Sequence, residues 1–309
     1  CLDAMMEDDN FDGVFVNFVT PFFVDTDSIA REIAEVHRQK KKPLVCNLMT
    51  DRRQWTETVR ILSEAGVPCF ALPGEAARAM AALVRYRQIL DREKAEIKRC
   101  ADAGTDKAVQ LLDRAKSAGR SMLLADEVYG ILEAYGIDVP KWRLAEDPAS
   151  AQKAAEEIGF PVVLKADAPS IVHKSDAGGV VLGLSDAAAV FKAAEKMQKN
   201  LSAPDLRFFV QRQLSSGLEL ILGARAEQGL GHAVVFGLGG IFVEVLSDVR
   251  FCLTPVSPAE ARRMLSSIKG AALLDGVRGQ KAVDKESIVD AVVRLSRLLS
   301  DLAGIQEMD

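Results

Sequence analysis

Apolar residues recur along the chain in two patterns, as short continuous runs and as longer segments with the spacing of one helix face. In the first third of the chain the two patterns alternate, and Pro and Gly residues separate them. Because parallel strands need a crossover connection, usually a helix, this alternation predicts a small parallel sheet. The predicted elements are strands 13–20, 44–48 and 67–72, and helices 29–40, 51–65 and 74–92, the first helix capped by Asp27 or Ser28.

Helical and strand patterns resume from residue 121. Gly136 and Gly159 each follow a helical segment, which is a common use of Gly beyond a helix C-terminus. Ser257 and Asp284 are in the position of helix N-caps. The predicted elements are helices 122–135, 148–158, 186–199, 257–269 and 284–302, and strands 139–144, 162–165, 180–184 and 206–213.

Small and polar residues dominate the segment between these two parts of the chain. Residues 98–120 read as a connector with one short helix at 108–115. A length of 309 residues is typical of about two domains. We therefore predict one domain over residues 1–97, a linker at 98–120 and a second domain over 121–309, the latter in two parts, 121–203 and 204–309.

The charge and cysteine patterns exclude several classes of protein. The net charge is −5, and no Lys/Arg cluster is interleaved with aromatic residues, which argues against a nucleic-acid partner or an anionic membrane surface. The longest apolar run, 234–246, is too short to span a bilayer. Five cysteines without a Cys-x-x-Cys pair indicate neither zinc nor a disulfide framework, which favours reduced thiols and a cytoplasmic location.

The candidate chemistry lies in residues 160–184, where one short apolar run ends in Lys165 and a second begins at Val180. The intervening loop contains His173, Lys174 and Ser175, followed by glycines. A lysine offers a point charge to phosphate oxygens, and glycines let backbone N–H groups approach a ligand closely. The segment suits a polyphosphate ligand, although a surface hairpin with a few charges is the simpler interpretation.

The motif of two aliphatic residues and a lysine, followed by His-Lys-Ser-Asp-Ala-Gly-Gly-Val at 173–180, resembles the ATP-grasp domain of the NDP-forming (ADP-forming) acyl-CoA synthetases, relatives of succinyl-CoA synthetase. The runs at 14–21 and 66–83 resemble the second flavodoxin-like subdomain of the same family. The resemblance implies an α/β protein, in which a flavodoxin-like parallel-sheet subdomain precedes an ATP-grasp domain of two α+β subdomains.

The resemblance also implies roles for residues of the loop and the strand before it. His173 matches a candidate phosphoryl carrier, and Lys174 beside it is assigned as a second catalytic residue, although His173 could instead only hydrogen-bond the nucleotide phosphates. The residues matched to phosphate binding in this segment are Lys165, Ser175, Gly178 and Gly179.

Further matched positions follow along the second domain. Gln211 matches the adenine-binding hinge and Glu219 a ribose acceptor; the alternatives are an exposed strand residue and a cross-strand salt bridge. Gly239 and Gly240 match a glycine-rich phosphate turn. Arg278 could contact a phosphate or form an ion pair, and Asp309 matches a first Mg²⁺ carboxylate.

Three more side chains lie near these matched positions, and one of them, Glu244, ends the glycine-rich signature that contains Gly239 and Gly240. Glu244 and Asp248 either face the site or point to solvent, and His232 is expected to be structural.

The reaction implied by the resemblance is acyl-CoA, phosphate and ADP giving carboxylic acid, CoA and ATP, reversibly. ATP/ADP and Mg²⁺ are the implied cofactors, and CoA is a substrate. The implied partners are the nucleotide, acyl-CoA and phosphate, with a homo-oligomer or pairing with upstream CoA-binding domains. Since the sequence begins with Cys1 and stops at Asp309, within a matched motif, we expect a truncated chain that is inactive alone.

Two alternatives remain open at this point. One is an ATP-grasp carboxylate ligase with another acceptor, against which the flavodoxin-like first part argues. The other is a non-catalytic, ligand-sensing region of a relative fused to a protein acetyltransferase.

Overall fold

A computed structural model describes residues 1–19, 23–49, 55–91, 104–171, 177–201, 203–215, 217–240, 248–277 and 281–309. The chain divides into two compact units, Cys1–Glu93 and Lys94–Asp309, whereas the sequence predicted a boundary near residue 98. No helix in these described ranges is both long and apolar enough to cross a membrane.

The first unit is a three-stranded parallel sheet, called sheet 1, with strand order β1-β2-β3. The parallel arrangement predicted from the alternation of strands and helices is confirmed. Its elements are α1 (Leu2–Glu7), β1 (Val14–Val19), α2 (Thr26–Arg38), β2 (Leu44–Met49), α3 (Thr56–Glu64), β3 (Cys69–Phe70) and α4 (Pro73–Leu90).

Two details of the first unit differ from the prediction. Helix α2 begins three residues early because Asp25, rather than Asp27 or Ser28, caps it by accepting the backbone N–H of Ser28 at 3.1 Å. The carboxylate of Asp27 instead accepts the hydroxyl of Thr58 at 2.5 Å, which joins α2 to α3. Strand β3 has only two residues, since it pairs with β2 alone and at two positions.

The predicted connector contains a helix, α5 (Gly104–Ser117), that packs against α6 (Ala125–Ala134). Ala108 and Ala115 of α5 are fully or almost fully buried. A helix that is buried through alanines shows no strong apolar stripe in its sequence. The small and polar composition of residues 98–120 therefore suggested a linker. In the structure this helix belongs to the second unit.

Two antiparallel four-stranded sheets form the rest of the second unit. Sheet 2 has the order β4-β7-β5-β6, and sheet 3 has the order β10-β9-β8-β11. The strands are β4 (Trp142–Ala145), β5 (Val162–Asp167), β6 (Val180–Leu184), β7 (Arg207–Arg212), β8 (Leu220–Glu227), β9 (Gly231–Leu238), β10 (Val249–Leu253) and β11 (Glu307–Met308), and the helices are α7 (Pro148–Ile158), α8 (Ala187–Asn200), α9 (Pro258–Ser267) and α10 (Lys285–Asp301).

Each of these sheets has its own hydrophobic core. Helices α7 and α8 contribute Ala155 and Val190 to the core on sheet 2, while α9 and α10 contribute to the core on sheet 3. Helix α6 sends Ile131 and Tyr135 into the core on sheet 3.

The side chains of β5 alternate between the two faces of sheet 2, and this determines where the candidate site lies. Leu164 and Ala166 lie in the core beneath α7 and α8, so Val163, Lys165 and Asp167 lie on the opposite face of sheet 2. The functional side chains therefore point away from the packed core.

Candidate functional site

Lys165 and Gln211 meet on the face of sheet 2 that is opposite its core. They lie on the adjacent antiparallel strands β5 and β7, where Lys165 pairs with Phe209 and Gln211 with Val163. The Nζ atom of Lys165 donates a hydrogen bond of 3.0 Å to Oε1 of Gln211. Two of the predicted binding residues, matched to phosphate and to the adenine hinge, are thus in direct contact.

Tyr129 of α6 is a third member of this group, and sequence reasoning missed it. Its hydroxyl donates to the same Oε1 atom of Gln211 at 2.9 Å. The ring of Tyr129 packs edge-on against Phe209 at 4.9 Å, and Trp142 stacks on Phe209 at 5.2 Å. Burial raises the pKa of Tyr129, so its hydroxyl remains a donor at neutral pH. The sequence signal that could have identified Tyr129 is its position as an aromatic residue outside the apolar stripe of the helix.

A buried charge cluster holds the end of β5 against the start of α6. Arg207 donates to Asp167 at 2.6 Å and to Asp126 at 2.8 Å, and the backbone N–H of Ala125 donates to Asp167 at 3.1 Å. Burial opposes the charge of Arg207, but these two carboxylates outweigh it and raise its pKa. Because Asp167 is fully buried and lies two residues beyond Lys165, the cluster fixes the strand that carries the lysine.

The loop between β5 and β6 starts and finishes beside Lys165. Lys165 pairs with Val180, and the backbone N–H of Ala166 donates to the carbonyl of Gly179 at 2.7 Å. Gly179 is buried, and Gly178 has a φ of 70° that favours glycine. The predicted residues His173, Lys174 and Ser175 lie outside the described residues.

The glycine pair after β9 packs directly against Glu219. The backbone N–H of Gly239 donates to the carbonyl of Glu219 at 2.7 Å. A Cβ atom on Gly239 would lie 3.0 Å from the Glu219 carbonyl carbon, and one on Gly240 would lie 2.5 Å from Glu219 Oε2. Gly240 also has a φ of 58°. Three predicted residues therefore form one group, in which a side chain at Gly239 would crowd the Glu219 backbone and one at Gly240 would be strained and would displace the Glu219 carboxylate.

Asp309 follows the last strand and lies over a glycine of β8. Met308 pairs with Ala224, and a Cβ atom on Gly223 would lie 3.5 Å from Cα of Asp309. Within the described part of the chain no cluster of three or more His, Cys, Asp or Glu side chains could hold a metal ion. Arg278 lies outside the described residues.

Asp248 and His232 have structural roles. Asp248 neither faces the site nor points to solvent: it is buried and accepts the backbone N–H groups of Lys269 and Gly270 at 2.8 and 2.7 Å. His232 is buried and its Nε2 lies 2.7 Å from the carbonyl oxygen of Ile305, in agreement with the prediction. Glu244 is outside the described residues.

Comparison with known proteins identifies the family. Residues 114–309 match the ATP-grasp domain family. The 4-hydroxybutyrate–CoA ligase (ADP-forming) of Nitrosopumilus maritimus is 36% identical over 303 residues, which are 96% of this chain but 43% of that protein. The beta subunit of acetate–CoA ligase (ADP-forming) II of Pyrococcus furiosus is 39% identical over 208 residues, which are 65% of this chain and 88% of that subunit.

A solved structure agrees with these relatives. The acetyl-coenzyme A synthetase 1 of Ca. Korarchaeum cryptofilum, in complex with coenzyme A and Ca-AMPCP, is 40% identical with a TM-score of 0.62, covering 65% of this chain and 90% of that one. A second structure of that protein holds Mg-AMPPCP, with a phosphohistidine segment pointing towards its nucleotide site; it is 41% identical with a TM-score of 0.55, covering 62% of this chain and 84% of that one. The chain spans less than half the length of the N. maritimus ligase and most of the P. furiosus subunit. It belongs to the ATP-grasp family, and its relatives include ADP-forming acyl-CoA ligases.

Proposed function

We propose that this chain is the nucleotide-binding part of an ADP-forming acid–thiol ligase. The reaction converts acyl-CoA, phosphate and ADP to carboxylic acid, CoA and ATP, reversibly. The observation that carries the proposal is the contact between Lys165 and Gln211 on the face of sheet 2 that is opposite its core. Family membership and the ligase names of the relatives support the choice of reaction.

Both groups of site residues offer polar atoms that suit a nucleotide. Lys165 supplies a positive charge for a phosphate oxygen, and Gln211 supplies an amide that can hydrogen-bond a purine base. Gly239 and Gly240 offer a backbone surface without side chains beside the Glu219 carboxylate, which can accept a ribose hydroxyl.

Asp309 is the one described residue that we assign to the magnesium ion. Mg²⁺ is commonly held by one or two carboxylates together with substrate phosphates and water, so a single exposed carboxylate fits this role. When bound, the ion would neutralise charge that develops on the transferred phosphoryl group. The proposed role of Asp309 is to bind the ion close to Gly223 and Ala224 of β8.

His173 is our candidate for the phosphoryl carrier on this chain. An imidazole nitrogen takes the phosphoryl group from an acyl phosphate, which releases the carboxylic acid. An oxygen of the ADP β-phosphate then attacks phosphorus, the N–P bond breaks, and ATP forms with the imidazole restored. In the same proposal Lys174 is assigned to catalysis beside His173, and Ser175 and Arg278 are assigned to the phosphates. Gly178 and Gly179 close the loop beside Lys165.

The rest of the activity is proposed from the relatives. We place the CoA and acyl sites in domains that these relatives have beyond the length of this chain, and we expect pairing with such domains or a homo-oligomer. The scattered cysteines, of which the four described ones (Cys1, Cys46, Cys69 and Cys252) form no disulfide, favour a cytoplasmic protein.

The test is an acyl-CoA screen for ADP- and phosphate-dependent ATP formation with the full-length gene product. We expect ATP from at least one acyl-CoA and its loss in His173→Ala, with nucleotide affinity almost unchanged. If no acyl-CoA supports ATP formation while Mg-ADP binds, the ligase assignment is wrong and the ligand-sensing alternative gains support. If His173→Ala turns over like the wild type, the carrier assignment is wrong.

A further inference from the structure

Helix α6 contacts both sheets of the second unit through opposite faces. Ile131 and Tyr135 lie in the hydrophobic core on sheet 3. Asp126, Tyr129 and Glu133 contact sheet 2, and we call these three residues the polar row. Their spacing of three and four residues puts them on one side of the helix.

Each member of the polar row makes one hydrogen bond to sheet 2. Asp126 accepts from Arg207 at 2.8 Å, and Glu133 accepts from Trp142 Nε1 at 2.9 Å. The central member, Tyr129, donates to Gln211 at 2.9 Å. The hydrogen bonds of Asp126 and Glu133 attach the helix to sheet 2 on both sides of Tyr129. They thereby position the Tyr129 hydroxyl next to Gln211.

The donors around Gln211 determine which way its amide points. A lysine ammonium has donors and no acceptor, so the amide atom that faces Lys165 must be the oxygen. Tyr129 donates to the same oxygen, which fills both of its lone pairs. The amide nitrogen is then the atom that remains to meet a ligand, and it offers donors only.

We propose that Tyr129 is a positioning residue that fixes the amide of Gln211, so that the nucleotide site reads a hydrogen-bond acceptor, such as a purine ring nitrogen. The inference rests on the proposed nucleotide-binding function of the site. The Tyr129 hydroxyl is needed because Lys165 is also assigned to phosphate binding. When the Lys165 ammonium turns towards phosphate oxygens, its hydrogen bond to Gln211 weakens. Tyr129 carries no charge to attract phosphate and continues to hold the amide oxygen.

The aromatic cluster explains why the tyrosine can hold this position. Its ring is packed edge-on against Phe209 and lies 6.0 Å from Trp142, at an interplanar angle of 73°. Tyr129→Phe keeps the ring in this packing and removes only the hydroxyl, so it isolates the hydrogen bond to Gln211.

The experiment is a double-mutant cycle in which calorimetry measures the binding of Mg-ADP to the 309-residue chain. The variants are Tyr129→Phe, Gln211→Ala and their combination. We expect Tyr129→Phe to weaken binding about fivefold, the scale of one hydrogen bond. In the Gln211→Ala background we expect the same substitution to change affinity less than about twofold, because its target is absent.

Tyr135→Phe is the matched control, because it removes a hydroxyl that donates to Asp301 at 3.3 Å from the same helix but away from the site. It should leave Mg-ADP affinity unchanged, and the melting temperature of every variant shows that it is folded. Normal affinity in folded Tyr129→Phe, or an equal loss with and without Gln211, would overturn the positioning role while leaving the nucleotide site intact. A wild-type chain that does not bind Mg-ADP would overturn the proposed function and this inference together.

Discussion

Nζ of Lys165 lies 3.0 Å from Oε1 of Gln211, although the two residues are 46 positions apart in the chain. The contact exists because β5 and β7 are adjacent antiparallel strands. Lys165 and Gln211 project from the same face of sheet 2, opposite its core. A basic donor and an amide acceptor are thereby held on the same face of sheet 2. The assignment of the nucleotide site, and the last of the tests below, follow from this contact.

Gly240→Ala should disturb the site through Glu219. The new Cβ atom would lie 2.5 Å from Oε2 of Glu219, and the φ of 58° adds a strain of about 1 kcal/mol. We expect Mg-ADP affinity to fall about tenfold as the carboxylate moves, measured by calorimetry.

Gly229→Ala is the matched control for that experiment. Gly229 also has a positive φ, 77°, but a Cβ atom there would meet nothing within 4 Å. It should lower the melting temperature through strain alone and leave Mg-ADP affinity intact. Equal losses of affinity in Gly229→Ala and Gly240→Ala would show that strain, rather than the Glu219 contact, is responsible.

Arg207→Ala should destabilise the second unit. It removes the guanidinium that donates to the fully buried Asp167 at 2.6 Å, and the loss of one partner of a buried ion pair typically costs about 3–5 kcal/mol in the free energy of unfolding. Urea denaturation in a Trp55→Phe background reports on this unit, because Trp142 is then the one remaining tryptophan. The exposed pair of Arg262 and Glu286 is the comparison, and Arg262→Ala should cost less than about 1 kcal/mol. Similar costs for the two arginines would contradict the role assigned to the buried cluster.

Glu127 should make the second unit sensitive to acid. Burial opposes its charge, but hydrogen bonds from Arg120 and from the backbone of Leu124 outweigh burial and lower its pKa below the ordinary value of 4.5. A lowered folded-state pKa stabilises the fold above pH 4.5, and this stability is lost as the pH falls below that value.

The measurement is the melting temperature as a function of pH. Glu127→Gln should lower it at pH 7 and flatten its fall below pH 4.5. Substitution of the exposed Glu156 by Gln should leave the profile unchanged. A wild-type slope below pH 4.5 in Glu127→Gln would assign the acid sensitivity to other carboxylates.

The sequence predicted most elements that contain a strong local signal. Helix α7 and strand β6 have the predicted limits, because an N-cap, a proline or flanking glycines define their ends. Lys165 and Gln211 were found as motif positions, one at the end of an apolar run and one in a later strand. Their contact depends on strand order, which local patterns do not contain.

The features that the sequence did not predict depend on tertiary contacts. Tyr129 became a candidate only when α6 was found against sheet 2. Asp248 was misread because its two backbone donors, Lys269 and Gly270, are far along the chain. The cap of α2 was misplaced because Asp25, Asp27 and Ser28 are all capable caps, and packing of Asp27 against Thr58 decides among them.

The central claim is that Lys165 binds the phosphates of a nucleotide. The most direct measurement is the calorimetric titration of the 309-residue chain with Mg-ADP, for the wild type, Lys165→Met and the control Lys153→Met, whose lysine is exposed on α7. We predict a loss of affinity of about 10- to 100-fold in Lys165→Met, the scale of a charged hydrogen bond, and no change in the control. Equal Mg-ADP affinity in folded Lys165→Met and the wild type would contradict the account.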